Sequence, residues 1–483
     1  MFYLDNITSK DLKININIKK DKMLKSSYTD GFFNVSKENG FLPIKNPIET
    51  LPDQYSDLQN FINNLPIIIK LPNQIVKEIT LIPDYKNYIE KENDIFILQA
   101  LYRAYTFLSS AYTLELSYQN FIKNGKYGKA RTIIPKNISI PLCLISKRLN
   151  VYPWLDYHYS YSLGNYIKKD PLGDLNWKNL KMACSFTNTS DETGFIMLHV
   201  YINELSPLLI ESVLNYTQTN CIEHLKSSYE VMKNINNRRR EMWEASNHKN
   251  YNDFRIFIMG IKGNEEIFDD GVLYENCFDN IPQKYRGQTG AQDNIIPTMD
   301  IFTGIVDYYP SNKLTEYLLD LRSYRPICIQ EFLNDLREHY KHNPIIKKLS
   351  DEKNIKGLMY LYQISNEIYF FRNGHWQFVQ KYIMENTDYI NATGGTPVTS
   401  WLINQIEAVL KFQKDIIFSI YDSLPHPYYD ISDINKIHDE NSLKINLLLE
   451  QTNELNKLNY NIETIYLKNI QANLEDMTNF KTS

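Results

Sequence analysis

With 483 residues, 43% of them hydrophobic and 23% charged, and a formal net charge of −5, the chain has a globular balance, more length than one core usually serves, and nothing that points to a nucleic-acid partner. Five scattered cysteines, Cys143, Cys184, Cys221, Cys277 and Cys328, exclude a CxxC motif or a Cys-His zinc site and suit a reducing compartment. No basic leader with an apolar core opens the sequence and no run reaches the roughly 18 apolar residues of a membrane span, so a cytoplasmic protein with no membrane partner is the expectation.

Residues 1–40 are polar and unperiodic and predict a weakly structured arm. Pro43, Pro47 and Pro52 punctuate the way into a small helical domain, taken as 41–175. Asp94 is an N-cap candidate for a helix whose stripe Ile97, Leu101, Ala104, Leu108 and Ala111 packs inward while Arg103 faces out. Ile133, Ile134, Ile138 and Ile140, set around Pro135 and Pro141, predict short extended pieces. Aromatic residues then crowd together between Tyr152 and Tyr166, with Trp154, Tyr157, His158, Tyr159 and Tyr161 among them. They either pack two domains together or line a cavity.

A large helical domain, taken as 176–410, follows. Thr189, Ser190, Asp191 and Glu192 signal a helix start. On that helix Phe195, Leu198, His199, Ile202 and Leu205 share one face, and Phe195 and His199, one turn apart, point into the same space. Pro207 should end or kink it. The run Arg238, Arg239, Arg240 reads as a solvated helix face. Arg255, alone in the apolar run Phe254 to Met259, needs an anion, either Asp253 or a bound group. The small residues of Gly287 to Gln292, Gly290 among them, let backbone lie close to a ligand or simply make a turn. Further helices are expected at Ser311 and Pro326; His339 and His342, amid charged neighbours on the second, read as solvent-facing.

The most informative stretch runs from Leu361 to Trp401. Leu361, Ile364, Ile368, Phe371, His375, Phe378 and Tyr382 follow one another by steps of three and four, one face of a helix. An imidazole on such a stripe is either bonded within the core or holding something. Gly374 leaves space beside it and Arg372 lies three residues back, an arrangement that suits a planar, anionic, metal-centred ligand such as haem b, with His375 as the iron ligand. Ala392-Thr393-Gly394-Gly395-Thr396-Pro397 then makes a loop that could approach a ligand. Residues 411–483 form a helical extension, interrupted at Pro425-His426-Pro427, whose Leu443, Leu447, Leu449, Leu455, Leu458 and Tyr460 predict a helical hairpin on the main body or a self-association segment.

The blocks FRNGHWQFVQKYI and ATGGTP resemble the haem-ligand helix and substrate-side loop of the indoleamine 2,3-dioxygenase family. Other blocks resemble that family in the same order, including RTIIPKNISIPLCLISKRLNVYPWLDYHYSYSLGNYIKKDP, DFRIFIMGIKGN with DGVLYE, and GQTGAQDNIIPTMDIFTG. The resemblance covers roughly residues 40 to 410. It implies an all-α fold of a small and a large helical domain, with haem b held by His375. It also implies Asp300 pairing with Arg372 to steer that guanidinium towards a propionate, and a substrate pocket formed by His158, Phe195, Ile258, Gly290 and Thr393. Arg255 would grip the carboxylate of an amino-acid substrate. His199 stands where mammalian members have serine; over an iron it could bond to bound oxygen, accept from an indole N–H, or ligate the metal. The implied reaction is insertion of both atoms of dioxygen across the C2–C3 bond of L-tryptophan or a related indoleamine, giving N-formylkynurenine from tryptophan. The alternatives are altered haem chemistry on an indole, as in the related monodechloroaminopyrrolnitrin synthases, and a helical protein without haem.

Overall fold

In the computed structural model, which describes residues 24–389, 391–424, 432–457 and 464–479, the N-terminal segment is not the loose arm its polarity predicts. Tyr28–Thr29 (β1) pairs antiparallel with Asn34–Val35 (β2). Tyr28, Phe32, Phe33 and Val35 are buried, and Tyr28 packs edge-on against Phe332 at 5.6 Å. These four large side chains are enough for a hairpin to join the core although no helical or long alternating period marks them. Residues 1–23 of the expected arm lie outside the described residues.

Ser56–Ile68 (α1) precedes Ile95–Asn124 (α2), where Asp94 accepts from the Phe96 amide at 2.8 Å as the cap predicted. Arg103 does not face out. It is buried and donates to the carbonyls of Gly164 (2.8 Å) and Ile48 (2.6 Å), because α2 is covered on nearly all sides. Ile133–Ile134 (β3) is extended and pairs parallel with Leu273–Tyr274, but Ile138 and Ile140 lie in the helix Lys136–Leu149 (α3), which runs through Pro141. The buried stripe Ile138, Leu142, Ile145, Leu149 has helical spacing, and that burial outweighs the lost proline hydrogen bond. Tyr166–Lys168 (β4) and Leu180–Met182 (β5) form an antiparallel hairpin across the expected domain boundary at 175.

Thr189 caps Ser190–Asn203 (α4), and Ser206–Thr219 (α5) restarts with Pro207 in its first turn. Read as one stretch, Ser190–Thr219 is long and apolar enough to cross a bilayer, but it is broken between the two helices and more than half of its most apolar part is buried inside the fold, as in core helices. Glu223–Arg240 (α6) leads through short turns to Leu273–Tyr274 (β6), then Ile295–Thr303 (α7), Lys313–Arg322 (α8), whose cap is Asn312 rather than Ser311, and Ile327–His342 (α9). Ile355–Phe378 (α10) continues as wider π-type turns over Val379–Met384. Val398–Ser423 (α11) lies along α10, and Ser432–Lys457 (α12) and Thr464–Asn479 (α13) pack on α11. The expected extension boundary at 411 therefore falls inside a continuous helix, and the hairpin reading of the tail is the one the packing shows. The expected break at residues 425–427, with Leu458 and Tyr460, lies outside the described residues. Among the described residues the architecture is all-α apart from three two-stranded pairs, with one hydrophobic cluster running through it.

Candidate functional site

The apolar stripe of α10 divides along its length. Leu361, Ile364 and Ile368 are fully buried, whereas Phe371, His375, Phe378 and Tyr382 turn towards a cavity. The facing wall is α4, with Phe195, His199 and Ile202; Thr289, Gly290 and Asp293 close one side, and Thr393 and Thr396 come from the loop before α11. A second, smaller lobe shares His375, Phe371, Gly290, Asp293, Trp401 and Leu402 with the first, and adds Asp300, Tyr309, Arg322, Arg325, Arg372 and Gln405.

Neither ring nitrogen of His375 hydrogen-bonds to any described residue, and the ring keeps part of its surface facing the cavity. Burial, then the Arg239 guanidinium, then His199 push its pKa down to about 4. The ring is thus neutral near pH 7, with a lone pair and no partner for it among the described residues. Gly374 does not leave the space expected beside it: Arg239 from α6 lies there, with Nη1 2.0 Å from where a β-carbon would stand. Arg239 is buried, holds only long hydrogen bonds to Asn236 Oδ1 (3.3 Å) and the Phe370 carbonyl (3.4 Å), and burial pushes its pKa down to about 10. It is not on a solvated face. The signal was present in the sequence, since Leu225, Ser228, Met232, Ile235 and Arg239 make one buried stripe at helical spacing.

Arg372 meets Asp300 at 2.5 Å, and Asp300 also accepts from Tyr309. Around the two lobes stand four guanidiniums, Arg239, Arg322, Arg325 and Arg372, against two carboxylates, Asp293 and Asp300. Three buried N–H donors of the second lobe, Arg322 Nε, Trp401 Nε1 and Gln405 Nε2, have no acceptor among the described residues. An excess of cations and unmet donors beside a free imidazole calls for a ligand carrying anionic acceptor groups at its edge. Of these flanking residues, Arg372 was singled out from sequence and Asp300 by the family resemblance; the others escaped because they come together from separate helices and turns.

The other side of the cavity carries a polar chain. His199 Nδ1 is 3.3 Å from the Tyr157 hydroxyl, which donates to Asp293 Oδ2 at 2.8 Å; Asn203 Nδ2 donates to the same oxygen at 2.7 Å. Three residues implied by the resemblance do not line the cavity. His158 is wholly buried behind it and bonded to the side chain of Asn294. Ile258 is buried in a turn behind the roof. Arg255 turns its guanidinium to the carbonyls of Asn391 (2.6 Å) and Tyr389 (3.4 Å) and to the Tyr127 hydroxyl (3.4 Å), so the anion its burial demands is replaced by backbone oxygens. Those bonds tie down the loop that forms the roof, which is held again by Arg286 on the Gly394 carbonyl (2.9 Å) and by Gly260 on that of Thr393 (2.8 Å). Thr393 does line the cavity, but its hydroxyl donates to the Gln288 carbonyl at 2.7 Å.

The residues fit haem. One imidazole with a free lone pair suits a metal already chelated by its own macrocycle, and no cluster of three or more His, Cys, Asp or Glu side chains is present among the described residues to hold a bare ion. Apolar walls from Phe371, Phe378, Val379 and Leu402 suit a flat ring, and the second lobe offers its carboxylates cations and N–H groups. An all-helical body built around such a site suits a histidine-ligated haem protein, and its family makes it a haem-dependent dioxygenase, a class of oxidoreductases. A profile of the indoleamine 2,3-dioxygenase family matches residues 30–404, and the chain belongs to that family. It is 25% identical to indoleamine 2,3-dioxygenase 1 of Rattus norvegicus over 316 residues, covering 63% of this chain and 73% of the rat protein. To the mouse protein of the same name it is 24% identical over 362 residues, 73% of this chain and 84% of the relative. To the indoleamine 2,3-dioxygenase of Saccharomyces cerevisiae it is 22% identical over 386 residues, 72% and 79% of the two chains.

Proposed function

We propose that the chain opens the indole ring of L-tryptophan or a related indoleamine with dioxygen, giving N-formylkynurenine from tryptophan. The observation that carries this reading is the unpartnered, neutral His375 facing a cavity bounded by aromatic and aliphatic side chains, with Phe195 and His199 opposite. Haem bound at His375 would supply the activation of dioxygen. Everything else falls to the protein. Phe195 and Ile202 offer flat apolar surface to an indole, and the roof loop keeps water from it. Arg372 and Arg322 hold the edge of the second lobe positive, where the carboxylates of the macrocycle would lie. The carboxylate of an amino-acid substrate would be received by Arg255 once it lets go of Asn391, so substrate binding and movement of the roof loop are linked in this reading. The free cysteines support a reducing, cytoplasmic location.

The test is an absorption spectrum of the purified ferrous protein with and without L-tryptophan, followed by assay for N-formylkynurenine. The expected result is a haem band perturbed by tryptophan and product formed under dioxygen. His375→Ala should lose haem while keeping its fold by circular dichroism; retention of haem in that variant would overturn the assignment.

A further inference from the structure

Arg239 stands against the part of α10 that carries His375. Its Nη1 lies 2.0 Å from where a β-carbon on Gly374 would be, and its guanidinium carbon is 5.8 Å from the centre of the Phe371 ring and 5.6 Å from that of Phe378, within reach of both π faces. Those two rings come one turn before and one turn after His375 in the cavity wall, so the cation and the imidazole share one stretch of it. Among the described residues no carboxylate pairs with Arg239, which has only its two long hydrogen bonds. Glu367, about two turns before His375, accepts from Asn236 Nδ2 at 2.8 Å; Asp300 is taken by Arg372 and Tyr309, and Asp293 by Tyr157 and Asn203. A metal-bound histidine usually gives its second ring N–H to a carboxylate, a carbonyl or water, which makes the ring a stronger donor to the metal. His375 has no such acceptor among the described residues, and a guanidinium, which offers N–H groups and no lone pair, cannot serve as one.

We propose that Arg239 biases the oxidation state of a haem iron held by His375: its unpaired buried charge, together with the missing acceptor for the ring N–H, favours ferrous over ferric iron. The inference rests on the haem reading of the site and adds a role for a residue outside the ligand helix. Ferric haem carries one positive charge more than ferrous haem, so a cation buried nearby destabilises it. At an effective dielectric constant of about 20, a unit charge shifts a one-electron equilibrium by about tenfold out to roughly 12 Å. Insertion of both atoms of dioxygen into a ring consumes and releases no electrons, so iron that starts ferrous ends ferrous. A stray oxidation stops turnover until a reductant restores the metal, and Arg239 makes that loss less frequent.

The experiment is a spectroelectrochemical titration of the haem-loaded parent, Arg239→Leu and Arg239→Lys. Leucine removes the charge without offering an acceptor to the imidazole, and lysine returns the charge. Arg239→Leu is expected to lower the ferrous-to-ferric ratio at a fixed applied potential by about tenfold, equal to about 59 mV for one electron, and to oxidise faster in air. Arg239→Lys should stay within about threefold of the parent, since the charge remains. Resonance Raman scattering from the ferrous parent should place the iron–histidine stretch at the lower frequency of a neutral imidazole. That reading needs no variant and still tests the inference if Arg239→Leu loses haem. An unchanged potential in Arg239→Leu, a potential in Arg239→Lys as low as that of Arg239→Leu, or a stretch at the higher frequency of an imidazolate overturns the inference, while product formation from tryptophan would leave the proposed reaction standing. A protein that binds no haem, or one that keeps haem in His375→Ala, removes the haem reading and this inference together.

Discussion

Arg239 lies across the backbone of α10 at Gly374, and the pair explains a glycine that would otherwise weaken the helix by about 1 kcal/mol relative to alanine. A methyl group there requires the guanidinium to move, and the open space beside it is the cavity. Gly374→Ala is therefore expected to leave the unfolding free energy within about 1 kcal/mol of the parent, the helix gain offsetting the displaced arginine. Haem affinity should fall, because the displaced guanidinium enters the space that a ligand needs. In an Arg239→Ala background the same change should cost no haem affinity, a non-additivity that urea titration together with haem titration would measure. Parent-like haem binding in the single variant would show that the two residues are not coupled. The sequence carried the Gly374 anomaly but not its cause, since nothing local says that an arginine 135 positions earlier arrives on the same spot.

At the scale of elements, what was legible was whatever a helical period writes into neighbouring positions. The stripe of α10 and the shared face of Phe195 and His199 were readable because burial repeats every three or four residues. The Tyr157, Asp293 and Arg322 contributions were not, because they are brought in by turns and by helices distant in sequence. Arg255 shows a third case. Its demand for an oxygen partner was readable, and which oxygen it takes was not, because the choice depends on a loop folding over it. That loop is packed backbone to backbone: a β-carbon at Gly395 would lie 2.0 Å from the Lys262 carbonyl, and one at Gly260 1.9 Å from the Gly287 nitrogen. A charged donor's hydrogen bond contributes about 1.5–3 kcal/mol, so Arg255→Gln should make opening of the roof roughly ten- to a hundredfold more frequent. Hydrogen exchange should then speed up at Ala392 and Gly395, whose amides bond within the turn, while the amides of α2 stay protected. Unchanged exchange at the turn would mean that Arg286 and Gly260 hold the roof without it.

Across the whole molecule, the helix that carries His375 is braced from behind by the C-terminal pair. α11 lies between α10 and the helices α12 and α13. From α12, Lys444 donates to Asn366 on α10 at 2.5 Å and sits over the Tyr369 ring at 4.9 Å, and the Ile437 carbonyl accepts from Tyr362 at 3.2 Å. From α13, Asn473 donates to Glu407 on α11 at 2.8 Å. Ile434, Ile445, Leu448 and Leu455 of α12 and Leu467, Ile470 and Leu474 of α13 are buried in the common cluster, so their apolar stripe is already covered within one chain. Each such side chain contributes about 1.5–3 kcal/mol when fully buried, much of it offset by the entropy of ordering two helices, and the net effect is support for α11 and, both through it and directly from α12, for α10. Removing residues 432–483 is expected to lower the thermal unfolding midpoint by several degrees and to speed transfer of haem to a competing apoprotein, with the absorption spectrum of the remaining haem unchanged because no described residue of the deleted part lines the cavity. A truncated protein that keeps the parent midpoint and transfer rate but loses a dimer seen for the full chain by light scattering would assign the tail to self-association and leave α10 supported by α11 alone.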